Sequence, residues 1–165
     1  MKTLEQIIKS RPVYLHDWSE SKRFGVVMDF EDVYMSEAEY RSKEAPYPNK
    51  ESWLESKAKV KEALEEHKDD NILFATYTYE EYSGEAFVLF ERKGKLYEVN
   101  GSHCSCYGLE GQWSPEEVNL KELYNRVTGG SFGAEYYSGE GFEFKGELAK
   151  FLGIKSTEIT YHERD

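Results

Sequence analysis

Ile72-Leu73-Phe74-Ala75-Thr76-Tyr77-Thr78-Tyr79, Ala86-Phe87-Val88-Leu89-Phe90-Glu91 and Leu96-Tyr97-Glu98-Val99 follow one another near the middle of the chain. Each run is rich in β-branched and aromatic residues. Glu80 to Gly84 separates the first two, and Lys93-Gly94 separates the second from the third. Short runs of this composition between turn-forming residues read as strands joined by hairpins, so the segment predicts an antiparallel meander. The second run carries no polar residue from Ala86 to Phe90. A strand with one wet face would alternate, so this one needs cover on both faces, and helices must lie over at least part of the sheet.

Outward from the meander, residues 50–67 place Trp53, Val60 and Leu64 in a narrow helical stripe, with Glu55, Lys59, Glu62 and Glu66 facing away. Asn49 is the expected N-cap, after a turn at Ala45-Pro46-Tyr47-Pro48. Ser36-Glu37-Ala38-Glu39 and Thr3-Leu4-Glu5-Gln6 both have the capping-box form, and the latter predicts a first helix over residues 4–10, ended by Pro12. From Phe24 to Met35, β-branched and aromatic residues threaded with Asp29, Glu31 and Asp32 predict an extended, partly exposed strand. Asn119 caps a helix that stops at Gly129-Gly130, and a last helix over 146–152 stops at Gly153. The expectation is one α+β domain spanning 1–165: an antiparallel meander of about three to five strands with several short helices packed on it. Residues 131–144 form an aromatic, acidic, glycine-rich loop in this reading.

The 165 residues include 32 acidic and 21 basic side chains, a net charge of -11, and aromatics make up 15%. Phosphate neutralisation needs a basic face, so direct nucleic-acid binding is not expected. Acidic disordered chains are poor in aromatics, and this one is rich in them. A chain of this length buries enough surface to fold without a metal or disulfide, so no cofactor is expected on grounds of stability. The N-terminal residues lack an apolar signal region, and no run approaches the length that spans a bilayer, so no membrane association is expected. Two closely spaced cysteines, Cys104 and Cys106, fit a reducing cytosol.

Asn100-Gly101-Ser102-His103-Cys104-Ser105-Cys106-Tyr107-Gly108 gathers both cysteines and a histidine directly after the third strand. If that segment stays extended, alternation sends Cys104 and Cys106 to one face and His103 to the other, which excludes a Cys104-His103 dyad unless the chain turns. A catalytic site would use Cys104, His103 and Cys106, with Glu110 or Tyr107 assisting. A zinc site would use His103, Cys104 and Cys106, with a fourth ligand from His16, His67, His162 or a carboxylate. Against both stands the tendency of free cysteines to be packing residues. Asp29, Glu31 and Asp32, with Glu110, Glu116 and Glu117, are the carboxylates that a hard metal or a general base would draw on, and otherwise form a solvated acidic surface. No phosphate loop, dinucleotide fingerprint or His-Glu-x-x-His pattern is present.

In the stretch from Phe132 to Phe144, Phe132, Tyr136, Tyr137 and Phe142 supply contact area, and Glu135, Glu140 and Glu143 supply negative potential. These seven residues are the expected binding surface for a basic partner. The competing reading is that the aromatics pin a long loop to the sheet.

The segment from Ile72 to Trp113, and above all Gly101-Ser102-His103-Cys104-Ser105-Cys106-Tyr107-Gly108-Leu109-Glu110-Gly111-Gln112-Trp113, resembles a family of small phage and prophage proteins with no established activity. The resemblance covers about a quarter of the chain and implies a phage setting, and with it the cytoplasm of a bacterial host. The function expected from it is that of an acidic accessory protein. It would bind and modulate or inhibit a host protein, one with a basic or nucleic-acid-binding surface, in host takeover or anti-defence. The alternatives are a small metal- or thiol-dependent enzyme built around His103, Cys104 and Cys106, and a protein that sequesters a small ligand such as a nucleotide. The last needs Lys93, Lys95 and Arg126 to gather in one pocket.

Overall fold

A computed structural model describes residues 1–45, 49–79, 83–129 and 144–159. Its centre is β3 (Ser83–Arg92), which pairs antiparallel with β2 (Asn71–Tyr79) on one side and β4 (Lys95–Cys104) on the other. Lys93 and Gly94 join β3 to β4 with φ of 53° and 80°. Two consecutive positive φ values give the two-residue turn whose twist matches the flanking strands. β5 (Glu116–Val118) extends the meander beyond β4. At the opposite edge β1 (Val13–His16) runs parallel to β2, so the order is β1-β2-β3-β4-β5 and the sheet is mixed, with three antiparallel pairings and one parallel. The fold is α+β, as the sequence predicts, with β1 an addition to the expected meander.

Alternation along β3 divides the core. Phe87 and Leu89 join Leu73, Phe74 and Leu96 under α1 (Leu4–Lys9), α5 (Leu120–Gly129) and α6 (Lys145–Leu152), which contribute Ile7, Leu123, Val127, Leu148 and Leu152. Ala86, Val88 and Phe90 face the other way, against Trp18, Val26, Phe30 and Leu109. The unbroken apolar run is therefore covered on both faces. Each fully buried Leu or Phe here contributes about 2 kcal/mol relative to an exposed one.

The strand expected from Phe24 to Met35 is not formed. Residues Lys22–Phe30 are a helix, α2, followed by a turn in which Asp32 has a φ of 55°. The helix lies between two partners. Val26 and Phe30, four residues apart, face the sheet, while Phe24, Val27 and Met28 face Val60 and Ala63 of α4 (Lys50–Glu66). A helix apolar on two sides loses the single stripe that identifies one, and tertiary burial overrides the strand preference of its valines.

The predicted caps are in place. The Thr3 hydroxyl accepts from Gln6 N at 3.2 Å and Gln6 Oε1 accepts from Thr3 N at 2.9 Å. Ser36 opens α3 (Glu37–Arg41), Asn49 Oδ1 accepts from Ser52 N at 3.2 Å, and Asn119 Oδ1 accepts from Glu122 N at 2.9 Å. Gly153 ends α6 with a φ of 77°, the left-handed conformation that glycine adopts without strain. A 3-10 turn follows at Ser156–Glu158. Among the described residues no helix is long and apolar enough to cross a membrane. Residues 46–48 of the expected turn lie outside the described residues, as does the loop at 131–143.

Candidate functional site

Asp29, Glu31 and Asp32 sit where α2 ends, and the segment after β4 runs past that end. Together they divide the α2 side of the molecule into two neighbouring clefts. The first, of about 490 Å³, is lined by Asp17, Asp29, Asp32 and Glu110, by Tyr34 and Tyr107, and by the segment from Cys104. The second, of about 360 Å³, is lined by Glu31, Glu66, His67, Asp70 and Arg92, and walled by Phe30 and Trp113.

The segment from Ser102 to Trp113 is held by its own side chains. Gln112 Oε1 accepts from Ser102 N at 2.8 Å, and Gln112 Nε2 donates to the carbonyls of Ser102 and Gly108, both at 2.7 Å. Leu109 is 1% exposed and anchors the loop in the core. The chain does turn after β4, with Cys104 N donating to Tyr107 O at 3.2 Å. His103 and Cys104 precede that turn, so strand alternation still separates their side chains. His103 is 4% exposed, its ring lies beside Tyr77, its Nδ1 is 3.5 Å from the Cys104 carbonyl oxygen, and its Nε2 packs against Gly84. Cys104 Sγ instead accepts from Cys106 N at 3.3 Å. That hydrogen bond is the main reason the Cys104 thiol titrates below its ordinary value, with Tyr107 contributing. Cys106 is exposed.

The carboxylates of the first cleft are not equivalent. Loss of hydration pushes the Asp29 pKa up, opposed by the hydrogen bond it accepts from Trp18 Nε1 at 2.7 Å, and reinforced by the charge of Asp17. Tyr34 is 89% exposed, and its hydrogen bond to Asp32 raises its hydroxyl pKa. Glu116 and Glu117 line neither cleft and belong to β5.

The second cleft is organised around His67, the residue that caps α4 and is 4% exposed. Its Nε2 lies 2.7 Å from Glu31 Oε1 and its Nδ1 3.2 Å from Asp70 Oδ2. Arg92 Nε donates to Asp70 Oδ1 at 2.7 Å, and the Arg23 guanidinium donates to the carbonyls of His67 and Asp70. The Trp113 ring stands edge-on to the imidazole, centroids 4.7 Å apart. Burial alone would lower the His67 pKa, but the hydrogen bonds to Asp70 and Glu31 outweigh it and the pKa is raised. Burial alone would raise the Asp70 pKa, but His67 and Arg92 outweigh it and the pKa is lowered.

The structure thus brings Cys104, Cys106, Tyr107 and Glu110 together with Asp29 and Asp32, and places the His103 ring in the core. His16 is exposed at the end of β1, and His162 lies outside the described residues. Arg126 pairs with Glu98 at 2.7 Å. Phe132, Glu135, Tyr136, Tyr137, Glu140, Phe142 and Glu143 all lie outside the described residues. Sequence reasoning passed over Tyr34, Asp70 and Arg92. His67 came up only as a possible fourth zinc ligand, because its partners Glu31 and Arg92 lie far from it along the chain. Comparison of the chain with protein-family models, curated proteins and solved structures finds no match.

Proposed function

We propose that the protein works by binding: an acidic accessory protein, of the phage type its sequence resembles, that engages a basic surface on a host protein and so modulates or inhibits it. The observation that carries this reading is the first cleft. Among the described residues its lining holds Asp17, Asp29, Asp32 and Glu110 with no lysine or arginine, beside two tyrosines that are 89% and 52% exposed. Carboxylates beside open aromatic faces suit a lysine or arginine side chain, by charge and by cation–π contact. The net charge of -11 adds long-range attraction toward a basic partner. A surface that normally meets nucleic acid has the complementary charge.

The test uses a short fluorescein-labelled arginine-rich peptide titrated with the full chain. Affinity is expected to fall steadily with salt. Asp32→Asn combined with Glu110→Gln is expected to weaken binding about fivefold, the effect of losing two modest ion pairs. Reversing Glu135, Glu140 and Glu143 to Lys should weaken it as well. Salt-independent binding that ignores all of these substitutions would sink the proposal.

A second reading, thiol chemistry at Cys104, is favoured by one observation: the Cys106 N–H that stabilises its thiolate. Cys104 should then be alkylated by iodoacetamide faster than the more exposed Cys106, with a rate midpoint below the ordinary thiol pKa. Equal rates at the two sulfurs would remove this reading.

A further inference from the structure

The second cleft holds a donor set unlike that of the first. A carboxylate oxygen of Glu31, one of Glu66 and a ring nitrogen of His67 all lie within 4.8 Å of one another. They come from both sides of the cleft: Glu31 follows α2, Glu66 is the last residue of α4, and His67 is its cap. Glu66 is exposed, so its side chain has room to turn toward an ion at the metal–ligand distance of about 2 Å.

The surroundings are those of a metal-ligating histidine. Such a histidine directs one nitrogen to the ion and has the other fixed by a carboxylate, which sets the tautomer and the ring orientation. His67 has that arrangement: Nδ1 is held by Asp70, itself 2% exposed and anchored by Arg92, and Nε2 is directed at Glu31. A buried ion pair needs only Glu31, His67 and Asp70. Glu66 makes no hydrogen bond or ion pair among the described residues, yet it brings a third carboxylate to a place that already has two. Arg92 pairs with Asp70, and the Arg23 guanidinium donates to the carbonyls of His67 and Asp70, so neither guanidinium is paired with Glu66. A cation shared by Glu31 and Glu66 would balance the Glu66 charge. The cleft in front of them leaves room for water to complete the coordination.

We propose that Glu31, Glu66 and His67 Nε2 bind a divalent first-row transition ion, with Asp70 as the orienting carboxylate and the ion in the place of the proton that Nε2 shares with Glu31. Mixed imidazole and carboxylate donors suit zinc or manganese better than calcium or copper(I). The site is separate from Cys104 and Cys106, and the proposal does not depend on the protein's partner.

The test is calorimetric titration of Zn²⁺ into the full chain carrying Cys104→Ser and Cys106→Ser, so that the thiols take no part. One ion per chain is expected, bound about tenfold or more weakly when Glu31→Gln or Glu66→Gln is added. His67→Asn removes a buried network and risks the fold. Glu66→Gln does not, and without metal it should unfold at the same temperature as its parent. Absence of saturable binding would overturn the proposal. So would one-site binding of unchanged affinity in Glu66→Gln, which would place the ion elsewhere.

Discussion

Asp29 and Glu31 are two residues apart, yet their carboxylates serve different clefts, because α2 ends between them and the chain turns through Asp32. Neighbouring residues are separated in function by a change of backbone direction. Gly84 is the opposite case, where two segments distant in sequence converge on one atom position. It pairs with Tyr79 and with His103, and a Cβ there would collide with Thr78 O and His103 Nε2. Gly84→Ala is therefore expected to destabilise the fold by about 2 kcal/mol or more, read as a lower urea midpoint. A variant as stable as its parent would mean that His103 is not seated as described. The His67 cluster sets a pH window. With its pKa raised, His67 contributes stability below its unfolded value and loses it as pH rises through the folded value. With its pKa lowered, Asp70 contributes above its unfolded value and loses it as pH falls through the folded value. In chelator-treated protein, the stability gap between the parent and Asp70→Asn should be widest between those two limits and narrow on either side. A gap that stays constant with pH would show that the pair is not ionised as inferred.

At the scale of elements, what could be read in the sequence depended on how many neighbours each element has. The meander from Ile72 to Val99 and the caps at Thr3, Asn49 and Asn119 were legible, because turn chemistry and capping are local. The helix α2 was not. Sandwiched between the sheet and α4, it carries apolar side chains over too much of its circumference for a 3.6-residue period to stand out, and its valines imitate a strand. β1 and β5 have four and three residues, too few for any pattern. The first cleft was half legible, since Cys104, Glu110, Asp29 and Asp32 stood out as residue types, but their meeting depends on where α2 ends. The second cleft was almost invisible for the same reason. The contact of α2 with α4 gives a direct check at this scale. Val60→Ala, at a position 0% exposed between the two helices, should cost about 2 kcal/mol in chemical denaturation, whereas the exposed Leu54→Ala should change stability by less than about 0.5 kcal/mol. Equal costs would contradict the assignment of the buried face.

For the molecule as a whole, β3 is the central strand of the sheet, paired along both edges and apolar on both faces from Ala86 to Phe90. Its amides should exchange with deuterium only through global opening, and those of the edge strands β1 and β5 through cheaper local openings. Equal protection in β1 and β3, measured residue by residue by NMR, would argue against this layering. Both edges of the sheet are short, and Glu116 and Glu117 add charge to one of them, which limits pairing with another chain. The parallel pairing of β1 has a consequence for synthesis on the ribosome. Val13 finds its partner only at Phe74, and α2, α3 and α4 are all made in between. When those helices leave the exit tunnel, the strands that cover Val26 and Phe30 have not yet emerged from it. The amino-terminal third of the nascent chain must therefore wait with part of its apolar surface uncovered, and it is this segment that a ribosome-associated chaperone would hold until Val88 and Phe90 emerge.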